Sequence, residues 1–86
     1  MNYTIRIERL AQKSLARIPQ PHQDNIIDAI HNLATIPRPH GTRKLSGKDA
    51  WRIRVGDYRI IYEIDDDKLN ILIITLGHRR EIYRKR

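Results

Sequence analysis

Between residues 51 and 62 the chain reads Trp51-Arg52-Ile53-Arg54-Val55-Gly56-Asp57-Tyr58-Arg59-Ile60-Ile61-Tyr62, and this stretch leaves little choice of local structure. Apolar and basic residues alternate over the first five positions, the period of a strand with one buried face. Gly56-Asp57 is a Gly-first two-residue loop of the kind that closes a tight hairpin, and a second β-rich run follows it. With Val55 opposite Tyr58, Arg54 stands opposite Arg59, and Arg52 lies on the same side of the sheet. Like charges directly opposite one another destabilise a sheet. Two readings follow. Either an anion offsets the repulsion, since arginine forks match phosphate geometry, or the long side chains splay into water as on an ordinary solvated strand.

Composition bears on the choice. A chain of 86 residues is expected to form one domain over residues 1–86, burying only about 60–65% of its unfolded surface and so having a thin core. Its net charge of +7, from 17 Lys+Arg against 10 Asp+Glu, favours nucleic acid or an acidic protein as partner. No segment approaches the ~18 apolar residues of a membrane span, and no basic helix has a strong apolar face. Met1-Asn2-Tyr3-Thr4-Ile5-Arg6 lacks the charged-then-apolar order of a signal peptide. The absence of cysteine excludes disulfides and thiolate chemistry and argues against structural zinc. The expectation is a soluble cytoplasmic protein with no membrane partner.

The chain shows no repeat, low-complexity run or dividing linker. Tyr3 to Ile7 alternates like a first strand. Ala11, Leu15 and Ile18 then fall at i, i+4, i+7, the stripe of a short amphipathic helix. Pro19-Gln20-Pro21 separates it from a second helix, whose wider apolar face is Ile26, Ile27, Ile30, Leu33 and Ala34. Pro37-Arg38-Pro39-His40-Gly41 stops that helix. Strands follow: Arg43 to Leu45, the two hairpin strands, and a last run from Leu69 to about Leu76 after a turn at Asp65-Asp66-Asp67-Lys68.

A turn centred between Asp66 and Asp67 pairs Ile64 with Leu69, Tyr62 with Ile71 and Ile60 with Ile73. One face then carries Trp51, Ile53, Val55, Tyr58, Ile60, Tyr62, Ile64, Ile71 and Ile73, apolar enough to pack both helices. The opposite face reads Arg52, Arg54, Arg59, Ile61, Leu72, Ile74, Leu76 and His78, an apolar floor with a basic end. The last strand is apolar on both sides, which places it inside the sheet. The predicted fold is α+β: a twisted, mostly antiparallel sheet of four to five strands with two N-terminal helices on one face.

Two helices after one strand, the Trp51–Tyr62 hairpin, and the tail Gly77-His78-Arg79-Arg80-Glu81-Ile82-Tyr83-Arg84 together resemble the RelE/ParE toxin superfamily, most closely its RelE branch. The resemblance spans nearly the whole chain, and the tail is its more specific motif. It implies a RelE-like, microbial-ribonuclease-like fold and the toxin of a type II toxin–antitoxin system. The implied activity is ribosome-dependent: the protein enters the A site and cuts messenger RNA, and a cognate antitoxin neutralises it. Operator DNA would be contacted only through the antitoxin.

Cleaving RNA with its own 2′-hydroxyl needs a base, cations for the charge building on phosphate, and an acid for the leaving oxygen. No metal or other cofactor is needed. Arg54 and Arg59, with Arg52 beside them, suit a phosphate clamp. The resemblance implies a transition-state role for Arg79 and base stacking or proton transfer for Tyr83. Well-studied RelE proteins carry lysines where this chain has Arg52 and Arg54, and one such lysine is their proposed base. Arginine stays protonated and is a poor base, so His78 becomes the candidate, histidine being the residue type suited to proton transfer near neutral pH. A strand-end histidine bonded to backbone is the competing reading. Lys44, Lys48, Arg80 and Arg84 are candidate RNA contacts, with an exposed basic loop or tail as the plainer account. His22, His31 and His40 lack metal-ligand spacing, and Asp65-Asp66-Asp67 reads as a polar turn rather than a calcium loop.

Two other functions fit the same residues. A ParE-like toxin would inhibit DNA gyrase through protein contacts and cleave nothing. A non-catalytic nucleic-acid-binding module would need aromatics interleaved with the arginines, whereas Trp51, Tyr58 and Tyr62 fall on the helix-packed face.

Overall fold

The computed structural model describes residues 2–47 and 49–82. The elements are β1 (Thr4–Ile7), α1 (Arg9–Arg17), α2 (His22–Leu33), β2 (Arg43–Lys44), β3 (Trp51–Val55), β4 (Tyr58–Asp65), β5 (Asn70–His78) and α3 (Arg79–Ile82). The five strands form one sheet in the order β1-β5-β4-β3-β2. All neighbours are antiparallel except β1 and β5, which run parallel. The expected α+β architecture is therefore the observed one, with the doubly apolar β5 inside the sheet.

The helices form where the apolar spacing places them and stop at the prolines. Ala11 on the inner face of α1 and Ile18 at its C-terminal cap are buried, as are Ile26, Ile30 and Leu33 on α2. They pack on Ile53, Ile60, Tyr62, Ile71, Ile73 and Leu76 in one core cluster. The Tyr62 hydroxyl reaches through this core to donate to the Pro37 carbonyl at 2.7 Å, anchoring the loop that leaves α2. A second tie holds the same loop from outside. Asp66 accepts from Arg38 at 2.9 Å and from the Tyr3 hydroxyl at 2.8 Å, joining the loop, the β4–β5 turn and the chain's beginning. The Arg38 guanidinium also lies 4.6 Å from the Trp51 ring centroid, a cation–π contact that covers the ring.

The β4–β5 register differs from the expectation in two steps. Ile64 pairs with Ile71 and Tyr62 with Ile73, a shift of two residues from the predicted partners. The loop is longer than a two-residue turn: Asp65 Oδ1 accepts from the N–H groups of Asp67 and Lys68, both at 3.1 Å, and Leu69 turns the corner at φ 56°. Because side chains alternate with period two, a two-residue shift keeps every residue on its face. The second step does not. A bulge at Ile61/Tyr62 leaves Ile74 as the extra residue on β5, so that Ile61 pairs with Thr75 and Ile60 with Leu76. The remainder of β5 is thereby inverted. Leu76, predicted on the open face, is a core residue with 3% exposure, and His78, also predicted there, pairs with Tyr58 on the helix side.

Candidate functional site

The hairpin forms as its sequence requires. Gly56 takes φ +63°, a left-handed conformation that costs glycine nothing. Val55 then faces Tyr58 and Arg54 faces Arg59. Arg52 lies two residues along on the same face, opposite Ile61, and β2 adds Arg43 opposite Arg52. Four arginines thus share one corner of the open face. Arg52 and Arg59 are half-buried, whereas Arg43 and Arg54 are exposed.

Arg43 is the member that sequence reasoning left out. Its strand was predicted, but its register was not, because a six-residue connection (45–50) sets no turn rule that fixes which residue meets Arg52. The other end of the sheet is of opposite charge: Asp49, Glu63, Asp65, Asp66 and Asp67 line a hollow there, with Leu72 at its floor. A polyanion crossing the open face is therefore drawn to the arginine corner and repelled from the far end.

The tail is built onto the same corner. The Arg79 N–H donates to the Asp57 carbonyl at 2.9 Å, and α3 packs against the ends of β4 and β5. Arg79 and Arg80 are exposed on this short helix. His78 Nδ1 accepts from the Arg80 N–H at 3.2 Å. In a neutral imidazole one nitrogen accepts and the other carries the proton, so this bond places the proton on Nε2. His78 consequently presents a donor, not a lone pair. Its ring meets Tyr58 edge-on at 5.6 Å, and His22 approaches Tyr58 at 5.4 Å. The three rings cluster on the helix side of the sheet end, away from the arginine face.

Lys44 is likewise turned from the arginines. It pairs with Trp51 in register, its Nζ lies 5.7 Å from the Trp51 ring centroid, and it forms an ion pair with Asp49 at 3.5 Å. The structure therefore brings Arg52, Arg54, Arg59 and Arg79 to one corner and sets Lys44 and His78 apart. Lys48, Tyr83 and Arg84 lie outside the described residues. Among the described residues no three His, Asp or Glu side chains converge in a metal-binding group.

Comparison with known proteins gives the corner a context. Residues 5–83 match the family described as the ParE toxin of type II toxin–antitoxin system, parDE. The Toxin RelG of Mycobacterium tuberculosis is 32% identical over 89 residues, covering 99% of this chain and 100% of the relative. In the archaeal RelE–RelB complex from Pyrococcus horikoshii, one chain superposes with a TM-score of 0.83 at 30% identity, over 94% of this chain and 99% of that one. The toxin–antitoxin complex RelBE2 from Mycobacterium tuberculosis gives a TM-score of 0.81 at 24% identity, over 92% and 100%. At that identity the likeness is one of fold.

Proposed function

This chain belongs to the RelE/ParE superfamily as the toxin of a type II toxin–antitoxin system, and we propose that it acts as a ribosome-dependent endoribonuclease cutting messenger RNA in the A site. The observation that carries this reading is the directly opposed pair Arg54 and Arg59, joined by Arg52 and adjoined by Arg79 through its bond to Asp57. Guanidinium groups gathered on one face match the geometry of phosphate oxygens, which supports an anionic, phosphate-bearing ligand.

In the reaction, the 2′-hydroxyl oxygen bonds to phosphorus and the P–O5′ bond breaks, leaving a 2′,3′-cyclic phosphate and a 5′-hydroxyl. Arg54 and Arg59 neutralise the non-bridging oxygens as charge builds on them, and Arg79 adds a third cation. Arginine accepts no proton, so the 2′-hydroxyl proton passes to water, and the leaving 5′-oxygen takes its proton from water or from the Tyr83 hydroxyl. Tyr83 assists at the base or the leaving oxygen. His78 acts as a positioning residue, holding the start of α3 through Arg80. Arg80 and Arg84 contribute phosphate contacts. Catalysis rests on charge stabilisation more than on a strong general base.

The partner is a cognate antitoxin, as in the RelE–RelB and RelBE2 complexes. An acidic and apolar segment would mask the arginine corner, and operator DNA would be bound through that antitoxin. The experiment is to add the protein to translating ribosomes with a defined messenger and map breaks by primer extension. Cuts within the A-site codon, lost in Arg59→Ala/Tyr83→Ala, are expected. The match to the ParE family favours a second reading, gyrase inhibition without cleavage. Intact messenger together with blocked supercoiling, insensitive to those substitutions, would establish it instead.

A further inference from the structure

A hollow of about 420 Å³ opens beside the arginine corner, between α2 and the edge of β3. Arg43 and Arg54 stand on its lip, Ile53 and Pro39 form an apolar wall, and Asn32 and His40 line the remainder. Asn32, His40, Arg43 and Arg54 are all exposed, so their polar ends are available to a ligand. The neighbouring Gly41 has φ +92°, the left-handed backbone that turns the loop and carries His40 to this rim. None of Asn32, His40 and Ile53 belongs to the phosphate clamp, yet Arg54 belongs to both.

We propose that this hollow is a nucleotide subsite, holding the nucleotide next to the phosphate clamped by Arg54 and Arg59. Its volume lies in the range of small-molecule sites, and its lining mixes an apolar wall with a few convergent polar groups. Arg43 and Arg54 take the phosphate, while the base lies against Ile53 and Pro39. The Asn32 amide, an acceptor beside two donors, fits the N7 acceptor and N6 donor of adenine. His40 closes the rim over the ribose. The subsite thus selects adenine at one position of the message. This assignment rests on the RNA-directed reading above, but it is tested by binding alone.

The test is titration of ¹⁵N-labelled protein with 5′-AMP and 5′-CMP, followed by amide shifts and by affinity. AMP is expected to shift the amides of Asn32, His40, Gly41 and Arg43 and to bind about 5- to 100-fold tighter than CMP, the discrimination of one bidentate amide–base pair. Asn32→Ala should erase that preference while binding through the arginines persists. Asn32→Asp, an acceptor only, should shift preference toward cytosine and its N4 donor. The proposal is overturned if AMP moves only amides of the 52–59 hairpin, if Asn32→Ala keeps the preference in a folded protein, or if neither nucleotide binds at millimolar concentration. A protein that cuts messenger yet gives any of these results keeps its nuclease reading and loses this subsite. One that binds AMP as described but cuts nothing keeps the subsite and loses the nuclease reading.

Discussion

The backbone N–H of Arg79 donates to the carbonyl of Asp57 at 2.9 Å, tying the first residue of α3 to the turn between the two arginine strands. Two motifs separated by more than twenty residues in sequence become one corner through that bond. It can be separated from the guanidinium by comparing two substitutions. Arg79→Ala should lower cleavage about 10²–10³-fold, the scale for one transition-state charge contact. Arg79→Pro also removes the N–H donor while suiting the first position of a helix, and should lose about fivefold more, the worth of one ordinary hydrogen bond. Equal losses in the two variants would show that the bond does not position the tail.

Opposed arginines predict effects of opposite sign on stability and activity. Arg54→Gln removes a like-charge pair across the hairpin, so it should stabilise the free protein by roughly 0.2–1 kcal/mol. The same substitution should reduce messenger cleavage about 10²-fold or more. Urea unfolding beside a cleavage assay reads both. A variant that is both less stable and less active would indicate that Arg54 is held by a structural contact instead.

His78 distinguishes positioning from proton transfer. Asn can offer an acceptor near the place of Nδ1 and keep the Arg80 N–H satisfied, whereas Ala cannot. Cleavage by His78→Asn should stay within about threefold of the unsubstituted protein, with His78→Ala near the fivefold loss of one hydrogen bond. The pH–rate profile should keep its shape in both. A general base would show itself by losses of about 10²–10⁴ in both variants and by disappearance of a limb near neutrality.

The hairpin, both helices and the interior place of β5 were legible in the sequence because each rests on a local rule: alternation, a Gly-led turn, proline boundaries and a doubly apolar run. His78 and Leu76 were misplaced for one reason. The extra residue Ile74 at the bulge inverts the end of β5, and an apolar strand carries no local signal of where a bulge falls. The shift of the β4–β5 turn passed without harm to the face assignments because it was even. Arg43, Asn32 and His40 come together only through the tertiary placement of α2 and its loop against β3, so no spacing in the chain announces them.

Tyr62 is fully buried, and its hydroxyl is bonded to the Pro37 carbonyl at 2.7 Å. Removing that donor in Tyr62→Phe leaves a carbonyl short of a partner under the α2–β2 loop. The expected cost is about 1–2 kcal/mol, read from the urea midpoint at constant m-value. Burial also pushes the Tyr62 phenol up. A raised value means that stability is present below the ordinary tyrosine range near pH ~10 and is lost as pH rises through the folded value. Tyr62→Phe should therefore flatten part of the alkaline limb.

Asp66 sets the acid limb by the converse argument. The Arg38 guanidinium, then the Tyr3 hydroxyl, hold its carboxyl below the usual range, and hydrogen bonding to Asp66 raises the Tyr3 phenol in turn. A depressed acid contributes stability above its unfolded value, about 3.9 for Asp, and loses it as pH falls through the folded value. Asp66→Asn should thus be less stable than the unsubstituted protein near neutrality, and the two should converge below about pH 4. Because the bonds lie in solvent, salt should narrow the gap at neutral pH. Arg38 also covers Trp51, so tryptophan fluorescence offers a local reading of the same transition. If Asp66→Asn and the unsubstituted protein show parallel acid limbs, with no change in Trp51 emission, the tie between the Arg38 loop and the β4–β5 turn makes no contribution to folding in solution.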